Sequence, residues 1–398
     1  MTSFTDTIPK DTRDMPLMHE GGNNIVLFKP FVPKAQTMLE LEETISSRWI
    51  GQGPKVEKFE QEFSRVEGNN LPSVSVGSGT DALHLAYLLA GVDSDSEVIA
   101  PVFTCTATNI PFLYSGASIK FVDICDDSLN MDIDAIEGMI TEKTKAISVV
   151  HYGGLPCDLD KLHDLQVKYN IPVIQDGAHS LGLRWHGQPM SAWTQYTMYS
   201  FQAIKHITTG DGGMLVLNTD HLEDKYAEAC RTRWFGIDRE KKQGGIWEND
   251  ITEVGYKYQM TDVGACLGLS GLAEFDGVLK HRRDLLQRYK DNLVGISGIE
   301  YYSGDVNGQN NQYSHAAWLC TVIAENRKEL QKKLYQHNIE SNQVHYRNDR
   351  YSIFKDHLTK SHFPNMDKIE DKYLVLPLHH DVSIEDVDRI CDCIKSGW

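Results

Sequence analysis

The chain has 398 residues, 41% hydrophobic and 24% charged, enough for one large domain, a smaller one and a sizeable core. Its formal charge of -17 argues against nucleic acid or an anionic membrane as partner, since both need concentrated Lys and Arg, but leaves a phosphorylated small molecule open. The eight cysteines show no metal-ligand or disulfide-framework spacing, and neither a membrane span nor a signal-peptide pattern is present, so a soluble, cytoplasmic protein with reduced thiols and no metal is expected.

Residues 1–24 are polar and aperiodic and read as a loose tail. Apolar, β-rich segments follow at SVSV (73–76), EVIAPV (97–102), SIKFVDI (118–124), KAISVVHY (145–152), PVIQD (172–176), YTMYSF (196–201) and GMLVLN (213–218). Stretches of helical period separate many of them, such as Asp81–Ala90 and Leu159–Tyr169. Strands alternating with helices predict an α/β fold with a mostly parallel central sheet over 25–275. Beyond Phe275 the texture changes. HRRDLLQRYKDNL reads as an amphipathic helix, then come a Gly/Asn-rich loop at 303–312, AAWLCTVIA, and helices at Arg327–His337 and Ser383–Ile394. A smaller α+β domain over 276–398 is expected.

Ligands of parallel sheets sit beyond the carboxyl ends of the strands, so the residues there carry the functional reading. In SVGSGTDAL a strand runs through glycines into a helix, and Gly79, Thr80 and Asp81 offer amides to an anion. The same turn also reads as a plain N-cap by Ser78 or Thr80. In PVIQDGAHSLG, Asp176 stands at a strand tip, able to pair with a protonated ring nitrogen or to cap the next turn, and His179 fits a turn or core role equally. In YSFQAIKHITTGDGG, Ser200 ends a strand and Lys205 lies among Phe201, Ile204 and Ile207, neighbours that would lower an amine's pKa, although loop lysines are commonly solvated. A phosphate cradle, an acid for a ring nitrogen, a serine and a lysine together match the needs of pyridoxal 5′-phosphate.

With those motifs assembled, the chain resembles the DegT/StrS family of sugar aminotransferases, which have the aspartate-aminotransferase type of fold. GQGPKVEKFEQEF (51–63), GSGTDAL, TKAISVVHYGGLPCDLD (144–160), QDGAHSLG, YSFQAIKHITTGDGG, GYKYQMTDVGACLGL and the His345-Tyr346 pair follow in family order. The resemblance implies Lys205 as the Schiff-base lysine, Asp176 as partner of the pyridine nitrogen, and His179 beside the cofactor's phenolic oxygen. It implies Ser200 and the Gly79–Asp81 turn as phosphate ligands, and His345 and Tyr346 as sugar contacts, with packing roles for the last two left open. It further implies a homodimer with shared sites, a nucleotide-linked keto sugar and glutamate as substrates, and Gly255–Gln259 reaching into the neighbouring site. Three positions depart from the family pattern: Cys105 stands where an aromatic residue often stacks on the cofactor, Lys257 replaces a phosphate-binding asparagine, and Asp211 replaces a glutamate.

Two other readings compete. Sugar dehydratases of the same fold carry histidine at the lysine position, but counting from Ser200 places Lys205 there and His206 one residue too far. A non-catalytic regulatory relative would not need the intact lysine and aspartate.

Overall fold

The computed structural model of the chain describes residues 17–239, 244–245, 250–357 and 362–398, so most of the expected tail, residues 1–16, lies outside the described residues. Seven strands form the main sheet: β1 (Ser73–Val76), β2 (Glu97–Pro101), β3 (Ser118–Val122), β4 (Thr144–Val150), β5 (Val173–Asp176), β6 (Tyr196–Ser200) and β7 (Gly213–Leu217), in the order β1-β7-β6-β5-β4-β2-β3. Only β7 runs against the others: β3, β2, β4, β5 and β6 pair in parallel, and β7 pairs antiparallel with both β6 and β1. These are the seven segments that the apolar runs predict.

Their sequences are apolar on both faces because both faces are covered. Along β4, Ala146 enters one core while Ile147 and Val149 enter the other, and along β7, Leu215 and Leu217 oppose Met214 and Val216. One core receives the helix Gly79–Leu89, called α1 as the first helix after β1, and the other receives the helices Pro54–Val66 and Leu159–Tyr169. A second, antiparallel sheet is formed by Ile299–Tyr301, Cys320–Ala324 and Tyr373–Leu376, with its own core that includes Leu285, Leu286, Ile390 and Ile394. Ile25 joins this third core and bridges to Ile339, so the chain enters the fold against its C-terminal sheet. The last helix, Ile384–Lys395, opens with a full capping box between Ser383 and Asp386, as the S-I-E-D pattern predicts.

The topology gathers the site. β4, β5 and β6 end on one rim, and the antiparallel register Gly213↔Ser200 and Val76↔Gly213 brings the start of β7 and the end of β1 to that same rim. Sequence positions from Val76 to Gly213 thereby become neighbours.

Candidate active site

Asp176 ends β5 and is buried. Its Oδ2 accepts from Thr108 Oγ1 at 2.7 Å and its Oδ1 from the Ala178 amide at 3.0 Å. Because the single Thr108 hydroxyl proton goes to Asp176, the Thr104 hydroxyl, 2.7 Å from Thr108 Oγ1, donates to it in turn. Burial raises the Asp176 pKa, while Thr108, Ala178 and the nearby Lys205 favour the charged form. Gly177 must be glycine, since a Cβ there would lie 2.4 Å from the Met198 carbonyl oxygen.

Lys205 sits in a turn closed at its base by Phe201 N–H to Gly212 O (2.8 Å) and Thr209 N–H to Phe201 O (3.0 Å). Its Nζ lies 3.9 Å from the centroid of the Trp318 ring. Burial lowers its pKa to about 8, against opposing pulls from Asp176 and Cys105. The residue as a whole is half-buried. An amine so placed is neutral far more often than a solvated lysine, as imine chemistry needs.

A second segment, His315–Trp318, holds this turn from the far side. His206 Nε2 donates to the Ala316 carbonyl at 2.7 Å, and Trp318 Nε1 contacts the Ile204 carbonyl at 3.4 Å. The segment is itself clamped: the buried Arg282 donates to the carbonyls of Ala317 (2.8 Å) and Trp318 (2.9 Å), and Arg283 to that of His315 (2.7 Å). His206 is thus a tether for the lysine turn. Trp318, Arg282 and Arg283 escape sequence reasoning, because the first reads as a strand residue and the others as the polar face of an amphipathic helix.

At the anion turn, Ser78 caps α1 by accepting from the Asp81 amide at 3.1 Å. That amide is therefore committed, and the Gly79 and Thr80 amides are the ones left to face a ligand. A Cβ on Gly79 would stand 3.0 Å from Ser200 Cβ, so glycine is what lets the turn meet Ser200. Asp81 itself has its pKa raised to about 6, chiefly by burial, with Asp211 adding repulsion.

His179 is buried and stacks on Trp318, with centroids 3.8 Å apart and planes at 20°. Its Nε2 lies 3.2 Å from His345 Nε2. Tyr346 pairs with Thr104, which places the His345-Tyr346 pair beside Cys105, the residue preceding the helix Thr106–Ser115. The structure thus brings Asp176, His179, Lys205, Cys105 and His345 together, with Gly79, Thr80 and Ser200 on the same rim. Lys257 is held elsewhere within the chain, its Nζ 3.8 Å above the Trp234 ring and exposed. A cavity of about 490 Å³ lined by Trp49, Arg231, Arg233, Trp234 and Arg239 lies apart from Lys205.

An α/β sheet that presents a buried carboxylate, a lysine of lowered pKa and helix N-terminal amides on one rim fits the needs of pyridoxal phosphate. The chain belongs to the DegT/DnrJ/EryC1/StrS aminotransferase family, whose model matches residues 33–395. It is 32% identical over 381 residues to the UDP-4-amino-4-deoxy-L-arabinose–oxoglutarate aminotransferase of Shewanella sediminis, covering 90% of this chain and 95% of that one. It is likewise 32% identical over 363 residues to the GDP-perosamine synthase of Escherichia coli, covering 90% and 94%. Among solved structures, the PLP-form of the Streptococcus pneumoniae protein Spr1654 superposes with a TM-score of 0.85 at 30% identity, covering 94% of this chain and 98% of that one. The protein is a pyridoxal-phosphate-dependent sugar aminotransferase.

Proposed function

We propose that this enzyme moves an amino group from glutamate to the C-4 carbonyl of a nucleotide-linked keto-deoxy sugar, with a 4-keto-6-deoxy hexose as the first candidate. The observation that carries the reading is the Lys205 amine, 3.9 Å from Trp318 and with its pKa lowered to about 8, on the same rim as the buried Asp176. The Shewanella relative's name supports both a 4-amino product and an oxoglutarate/glutamate pair.

Pyridoxal phosphate, when bound, would supply the electron sink that amino transfer needs. Lys205 is the residue that holds it covalently. Lys205 Nζ would be the group that takes the proton from the donor's α-carbon and gives it back, and that does the same in reverse for the sugar. Asp176 keeps the ring nitrogen protonated, and Thr108 and Ala178 hold its carboxylate in place. The Gly79 and Thr80 amides with the Ser200 hydroxyl hold the phosphate. His345 and Tyr346 face the sugar. In a homodimer, Gly255–Gln259 of one subunit would present Lys257 to the other's phosphate site, a point charge where the family carries asparagine. The cytoplasm is the compartment that fits the reduced cysteines.

His206 does not favour the dehydratase reading, because its Nε2 is engaged by Ala316. The test is a product assay with glutamate and a panel of nucleotide keto sugars, read by mass spectrometry. A 4-amino sugar nucleotide is expected; a dehydrated product, or no transfer from any amino donor, would contradict the proposal.

A further inference from the structure

Building on the reading of the Lys205 site as the place where the sugar binds, we propose that His345 is locked as a hydrogen-bond donor through Nδ1–H. The amino-accepting sugar would then be selected for an oxygen acceptor at that point.

The lock is a chain of three groups, each fixing the next. The Gly153 amide donates to His179 Nδ1 at 3.3 Å. A backbone N–H can only donate, so Nδ1 of His179 carries no proton. His179 is buried at 2% exposure, and both burial and the neighbouring Lys205 disfavour its charged form. A neutral His179 with a bare Nδ1 must carry its proton on Nε2.

That Nε2 faces His345 Nε2 at 3.2 Å. Two N–H groups cannot face each other there, so His345 Nε2 is the acceptor and its proton resides on Nδ1. The ring geometry supports an in-plane bond. The two imidazoles are tilted by only 7° with centroids 5.2 Å apart, too far for face-to-face packing and suited to an edge-to-edge contact. Trp318, at 3.8 Å from the His179 ring, supplies the true stacking surface and stops that ring from turning.

His345 is fixed as firmly from its backbone. It holds a φ of 66°, and its carbonyl accepts from Tyr373 OH at 2.6 Å. Three residues on, the buried Asn348 donates through Nδ2 to the carbonyls of Thr104 and Tyr346. Turning the ring over would break its bond to His179 Nε2. Among the described residues no protein acceptor meets its Nδ1, and the residue is half-buried at the site. Its partner is then a ligand oxygen: a hydroxyl or carbonyl of the sugar. A ligand group that can only donate would be rejected there.

The decisive measurement is long-range proton–nitrogen NMR of the full chain labelled with ¹⁵N-histidine and free of cofactor, with the His345 signals identified by their loss in His345→Asn. The expected result is His179 as the Nε2–H tautomer and His345 as the Nδ1–H tautomer. His345 found as Nε2–H overturns the inference. In the loaded enzyme, His345→Leu should raise KM for the sugar about tenfold, the effect of one lost hydrogen bond. His345→Asn, whose amide N–H replaces Nδ1–H and which tolerates positive φ, should recover most of that loss. Equal KM values for the Leu variant and wild type would also overturn it. Should borohydride fail to trap the cofactor on Lys205, the reading of the site fails instead, whatever the tautomers are.

Discussion

The two lysines that the sequence assigns to one cofactor sit in opposite settings. Lys205 is enclosed: its turn is closed by backbone bonds, tethered by His206, covered by Trp318, and backed by two arginines that clamp the covering segment. Lys257 is exposed, resting on Trp234, in a stretch where Ile251 and Val254 also face solvent at 53% and 79% exposure. The Lys205 turn is held entirely by contacts within a single chain. Around Lys257 the chain exposes apolar surface beside a cation, which fits the proposed role of this segment in finishing a neighbouring subunit's pocket. Preorganisation resides in the Lys205 turn, which the fold fixes within one chain, whereas the proposed assembly would deliver the charge of Lys257 to the phosphate.

Lys205→Ala should cost turnover roughly 10²–10⁴-fold or more, the range of a lost acid–base group, with the far-ultraviolet circular dichroism unchanged. Near-normal turnover would remove Lys205 from the mechanism.

A second, smaller effect runs the other way. Folding moves the Lys205 amine from its ordinary value down to about 8. Between those values the unfolded chain holds a proton that the folded one has released, so stability rises with pH through that window. Below about pH 8 the penalty of a buried charge is fully present. Lys205→Met should therefore stabilise the cofactor-free protein at pH 7 by about 2–3 kcal/mol, read by denaturant titration, with the gain shrinking as pH rises above 8. A gain independent of pH would mean that the methionine packs better and that the amine was never desolvated.

The smallest effect belongs to the exposed lysine. Lys257→Ala should weaken cofactor binding by about tenfold at low salt and by less at high salt, with no change in the stability of the unassembled chain. An effect insensitive to salt would place Lys257 outside the phosphate's field.

How much of this was legible follows from the same contrast. All seven strands of the main sheet could be read, because strands buried on both faces are short apolar runs between turn signals. Asp176 and Lys205 were legible because each lies directly beyond a strand in a glycine-bearing turn. The strand-glycine-helix pattern suggests the Asp81 amide for an anion, but Ser78 takes that amide; the S-G-T-D spacing is itself a capping pattern and points that way. Trp318 and the tether of His206 to Ala316 were not legible. The latter pair is separated by 110 residues, and no local period encodes which carbonyl a distant histidine will find. The arginines of HRRDLL illustrate the same point: helical period predicts that they lie on a helix, not that the helix turns them inward onto backbone carbonyls.

The most direct test of the central claim is borohydride reduction of the cofactor-loaded protein, followed by peptide mass spectrometry. The account predicts a phosphopyridoxyl group on the peptide containing Lys205, and none on that containing Lys257. Trapping on another lysine, or no trapping in protein that contains the cofactor, would contradict it.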